Sequence, residues 1–110
     1  MARERIKPIK LTDTESGKEY ILEFNRATIK LTEQSGFDIT EANKKPITSL
    51  SKLWYYSFKM HHPEVTAEKA EKLFDEIGEI PEGLIERLFA LYNAGAESLS
   101  VENPKVAVTL

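Results

Sequence analysis

The apolar positions of the chain follow two rhythms, and the switch between them marks a change of element. Ile9-Lys-Leu-Thr alternates apolar with polar residues, the period of a strand with one buried face. Asp13-Thr-Glu-Ser-Gly17 is polar and ends in a residue that accepts positive φ, which predicts a turn. Tyr20, Leu22 and Phe24 then share one face of a returning strand, with Ile21 and Glu23 on the other. A lone two-stranded hairpin is marginal in water, so the Ile9, Leu11, Tyr20, Leu22 and Phe24 face must lie against helices.

Residues 25–36 carry two signals. Ala27, Ile29 and Leu31 alternate as a third strand would, but Asn25 is a good N-cap and Gly36 a good residue just past a helix end. With no turn before Ala27 other than Asn25, a short helix is the better fit. Phe37-Asp-Ile should anchor the chain as it re-enters the core. Residues 40–47 are polar and contain Pro46, so a loop is expected there.

Beyond the loop the period is helical. Leu50, Leu53, Trp54, Ser57 and Phe58 are spaced by three and four, predicting a helix from Thr48 or Ser49 that ends before Pro63. Thr66 is an N-cap, Glu68 lies in the first turn, and Val65 can staple onto Ala70. Ala70, Leu73, Phe74 and Ile77 form the stripe of a third helix, stopped by Gly78. After the connector Ile80-Pro-Glu-Gly83, the residues Leu84, Ile85, Leu88, Phe89, Leu91 and Tyr92 predict a fourth helix over 84–99. Residues 1–5 read as a frayed terminus, and the stretch from Ser100 as an extended tail. The expected fold is α+β: one domain over 1–110, with a hairpin (6–24) packed on about four helices (25–99) and a tail (100–110).

Composition narrows the class. A chain of 110 residues suits one domain, and 41% hydrophobic with 30% charged residues is globular. The absence of cysteine excludes disulfides and thiolate metal sites. No apolar run approaches the ~20 residues of a membrane span, and Met-Ala-Arg-Glu-Arg lacks the apolar stretch of a secretory signal, so a cytoplasmic protein is expected. Residues 64–87 carry eight acidic and three basic side chains, net −5, which argues against a nucleic-acid face there. A solvated helix surface explains them, and steering toward a basic partner is the sharper reading.

Four groups are candidates for chemistry or binding. Adjacent His61 and His62 point about 100° apart on a helix, a poor arrangement for one metal, and a place at a helix C-terminal dipole is the simpler expectation. Trp54, Tyr55, Tyr56 and Phe58 cover more than half of a helix circumference. Trp54 and Phe58 should fill the core, with an outward tyrosine either covering neighbouring structure or serving a partner. Glu64, Glu68, Glu71, Asp75, Glu76 and Glu79 could be imagined as acid/base or cation groups, but nothing in the sequence buries them. With no nucleophile motif, phosphate loop or calcium pattern, the expectation is a non-enzyme with no cofactor or metal. The tail, apolar at Leu99, Val101, Val106, Val108 and Leu110, could add to a partner's sheet edge or groove.

The hairpin Lys18-Glu-Tyr-Ile-Leu-Glu-Phe24, the Asn25 to Gly36 segment, Leu53-Trp-Tyr-Tyr-Ser-Phe58, the His-His-Pro-Glu-Val65 break, Thr66-Ala-Glu-Lys-Ala-Glu-Lys-Leu73 and the Leu84 to Leu99 helix follow one another in a distinctive order. Over residues 6–99 this resembles the tail assembly chaperones of long-tailed bacteriophages and prophages. The resemblance implies a non-enzymatic protein of the host cytoplasm, absent from the mature virion, that keeps the tape-measure protein, and in some cases the tail tube subunit, soluble during tail assembly. It also implies no catalytic residues, and it is compatible with a homo-oligomer. The client surface is expected on Tyr55, Tyr56, Leu91, Tyr92 and the tail residues Leu99, Val101, Val106, Val108 and Leu110, without nucleic acid or membrane. The alternative is a small helical DNA-binding or transcription-adaptor protein of a prophage. The acidic residues of 66–92 weigh against it, because a recognition helix should carry Lys and Arg.

Overall fold

The computed structural model describes residues 6–42, 44–97 and 109–110, and has the expected α+β architecture. Strands β1 (Ile9–Thr12) and β2 (Glu19–Leu22) form an antiparallel hairpin in which Ile9 faces Leu22 and Leu11 faces Tyr20. The Asp13 to Gly17 turn is held by its own carboxylate, which accepts from the Glu15 amide at 3.0 Å. Four helices follow: α1 (Arg26–Gln34), α2 (Pro46–Ser57), α3 (Ala67–Glu76) and α4 (Leu84–Glu97).

Helix α1 starts and stops as its capping residues dictate. Asn25 accepts from the Thr28 amide at 2.9 Å, and the Thr28 hydroxyl accepts from the Asn25 amide at 2.8 Å. At the other end Gly36, at φ 98°, donates to the Glu33 carbonyl while Phe37 donates to Thr32, a Schellman closure. Lys52 adds a bond to the Ser35 carbonyl at 2.9 Å. The third helix is likewise capped by Thr66, which accepts from Lys69 at 3.1 Å.

The start of α2 corrects the expected boundary. Pro46 does not keep the helix out; it occupies the first helical turn, where a missing N–H costs nothing and the fixed φ already suits the helix. One 3₁₀ turn, Ile39–Glu41, capped by Asp38, leads into the expected loop. The helix unwinds after Ser57, ahead of Pro63, as expected. Residues 1–5 and the tail over 98–108 lie outside the described residues, so the frayed start and extended tail are not described.

The core is one cluster, built on two aromatic chains. Tyr20 of the hairpin meets Phe58 edge-on at 5.7 Å, Phe58 meets Trp54 at 5.4 Å, and Trp54 meets Phe74 of α3 at 5.1 Å. Phe24 and Phe37 flank Tyr92 of α4 at 5.5 and 5.1 Å. Trp54 also donates its indole N–H to the Ala70 carbonyl at 2.8 Å, so its one polar atom is satisfied in the interior. Helix α2 is therefore the central element, with α1, α3 and α4 packed around it.

Candidate functional site

The sequence places its client surface on α2, α4 and the tail, and of the two helices the structure leaves the α2 residues nearer the surface. Helical geometry puts Ser51 and Tyr55 on successive turns of α2, Lys59 follows in the turn just past its end, and all three are half-buried. The Tyr55 ring meets Tyr56 edge-on at 4.8 Å, and Lys59 Nζ sits 4.7 Å from the Tyr55 centroid. At the start of the same helix Ile47 is 82% exposed. This strip, apolar with one cation beside it, is the described surface that best fits the expected grip. Trp54 and Phe58 fill the core below it, as expected.

Leu91 and Tyr92 are corrections. Both are core residues, 4% and 5% exposed, and neither can meet a partner without unpacking α4. The reason lies in how α4 uses its apolar residues. Leu88, Leu91 and Tyr92 form the inward stripe, whereas Leu84, Ile85 and Phe89 flank it half-buried. Burial lifts the Tyr92 phenol above its ordinary ionisation range, with the Glu33 and Asp38 carboxylates adding to the effect. Of the tail candidates, Leu99, Val101, Val106 and Val108 lie outside the described residues, and Leu110 is exposed.

The acidic residues Glu64, Glu68, Glu71, Asp75, Glu76 and Glu79 are all exposed. Two of them make long ion pairs at 3.9 Å, Lys72 with Glu76 and Lys18 with Glu64, which at the surface contribute little. Among the described residues no group of three or more His, Asp or Glu is placed to hold a metal ion. Likewise, no described helix is long and apolar enough to cross a membrane.

A family model described as a domain of unknown function, DUF5055, matches residues 1–109. The chain belongs to the DUF5055 family. Among curated proteins and among solved structures, none matches it.

The histidines of this DUF5055 chain do something the sequence does not announce. They lie in the turn that follows the C-terminal end of α2, as expected, but their rings reach across to hold the hairpin. His62 Nε2 accepts the Ile21 amide N–H at 2.9 Å, and His61 Nε2 lies 3.0 Å from Glu23 Oε1. Between them the Glu23 amide donates to the Ser57 carbonyl at 3.0 Å. The outer edge of β2 thus finds its partners on the C-terminal end of α2 and the turn beyond it. Edge amides of a short sheet need such cover.

Proposed function

We propose that this DUF5055 protein is a tail assembly chaperone, holding the tape-measure protein soluble, and in some systems the tail tube subunit, until the tail is built. The observation that carries the reading is the half-buried Tyr55–Tyr56 pair on the central helix, with Lys59 against Tyr55 and the exposed Ile47 at the start of the same helix. Aromatic residues with a neighbouring cation are the composition of a surface that grips another protein. The resemblance over residues 6–99 supplies the client class. The client surface proposed is narrower than the sequence suggested, resting on α2 without Leu91 and Tyr92. The protein would act in the host cytoplasm and leave no copy in the virion.

The test is co-expression with a tape-measure fragment from the same genome. The soluble fraction of that fragment should rise with the wild-type chain and fall back with Tyr55→Ser/Tyr56→Ser. No gain over an unrelated control domain of similar size would defeat the proposal. A tail tube gene upstream and a very long tape-measure gene downstream would support it independently.

A further inference from the structure

We propose that His62 makes the attachment of the hairpin to the helical body acid-sensitive, so that lowering pH releases the hairpin edge before the helices unfold. The geometry asks for one protonation state. A backbone N–H only donates, so at 2.9 Å from the Ile21 nitrogen the His62 Nε2 must carry a lone pair and its proton must sit on Nδ1. Protonating Nε2 sets two donors against each other and removes the bond. The bond therefore holds only while the His62 ring is neutral.

The surroundings set where the imidazolium would go. From the turn after α2, Glu64 Oε1 lies 3.8 Å from His62 Nδ1, and the His61 ring centroid lies 6.4 Å away. From the hairpin, the Tyr20 ring packs edge-on at 5.2 Å, and Lys18 Nζ stands 5.1 Å from that ring while pairing with Glu64 at 3.9 Å. Glu23 reaches His61, not His62. A charged His62 would therefore turn toward Glu64 and compete with Lys18 for it. Both changes loosen β2. His61 works in the opposite sense, since its contact with Glu23 survives protonation and gains a charge. That leaves the Glu23 end tethered while the Ile21 end opens.

The device goes beyond the chaperone reading and does not depend on it. Hydrogen exchange followed by NMR on the full chain tests it, with rates corrected for intrinsic exchange. Protection of the Ile21 amide should fall several-fold between about pH 8 and pH 5, the loss expected of one hydrogen bond over the window in which histidine changes charge. The Trp54 indole N–H, bonded to Ala70 within the helical body, should keep its protection within about twofold over that window. His62→Gln, whose amide oxygen accepts at any pH, should flatten the Ile21 response, and His61→Gln should leave it in place. Ile21 protection independent of pH, an equal fall in His62→Gln, or parallel loss at the indole would each overturn the proposal. Should His62→Gln fail to fold, the wild-type imidazole nitrogen shifts decide. A bare Nε2 at pH 8 supports the device, and a protonated Nε2 sinks it.

Discussion

Gly95 offers a prediction whose sign must be worked out, because two effects of similar size oppose. Replacing it with alanine in α4 improves helix propensity by up to ~1 kcal/mol, and by less this close to the helix end at Glu97. Against that, the added Cβ would lie 3.2 Å from Phe24 Cβ, 3.3 Å from the Phe24 carbonyl oxygen and 3.4 Å from Ile29 Cδ1. Favourable carbon contacts begin near ~3.5 Å, so a few tenths of an ångström must be found somewhere. Ile29 Cδ1 can swing, but the Phe24 oxygen belongs to the backbone just before the Asn25 cap, and its side chain is pinned against Tyr92. The helix must move instead. Overpacking of this kind costs roughly 1–3 kcal/mol, so Gly95→Ala should lose about 1 kcal/mol net. For a domain near 100 residues that lowers Tm by roughly 4–8 °C. Urea unfolding read by the single tryptophan, 2% exposed, should give a lower midpoint with an unchanged m-value. Ile29→Val, which removes the movable methyl, should cost less in the Gly95→Ala background than in the wild type. A Gly95→Ala protein as stable as the wild type, or more so, would refute the claim that α4 is held at closest approach to the hairpin junction.

Three further outcomes follow from the same packing. Asn25→Ala removes both halves of the reciprocal cap on α1 and should cost about 1 kcal/mol in urea melts. Leu91→Ala, in the core, should cost about 2–5 kcal/mol, whereas Tyr55→Ser/Tyr56→Ser on the outer strip should cost much less while losing client retention; the two sets of melts and the solubility assay separate the roles. The Asp13 carboxyl is held below its ordinary value of 3.8, first by the Glu15 amide and then by that of Ser16, and Asp38 is held down by the Thr40 hydroxyl and amide. Their depressed ionisation contributes stability present above the ordinary carboxylate range and lost only as pH falls below it. Carboxyl carbon shifts should record both midpoints below 3.8, and Asp13→Asn should erase its own part of the acid dependence.

What could be read from the sequence was what a residue does to its own backbone. Asn25, Thr66, Gly36 and the turn at Asp13 each act within five residues of themselves, so the hairpin, the start and stop of α1 and the start of α3 stand where the local chemistry puts them. Pro46 misled because the same ring that breaks a helix interior also favours its first turn, and spacing alone does not say which. Periodicity also left α4 undivided. Six large apolar residues in nine cover more than one face, and only contact with Phe24 and Phe37 decides that Tyr92 turns inward.

The histidines were beyond reach for a different reason. The partner of His62 is the backbone N–H of a residue 41 positions away, and a backbone amide leaves no mark in sequence. Alternation along β2 does say that Ile21 lies off the buried face, but it does not say that the outer edge of that strand needs acceptors. The pairing of Ile21 with Lys10 in a two-stranded sheet supplies that requirement, because among the described residues each strand there has one neighbour only. One side of β2 must therefore look elsewhere, and the chain that passes it is the end of α2. Ser57 and His62 answer with a carbonyl and an imidazole, and only the second of these acceptors can be switched off by a proton.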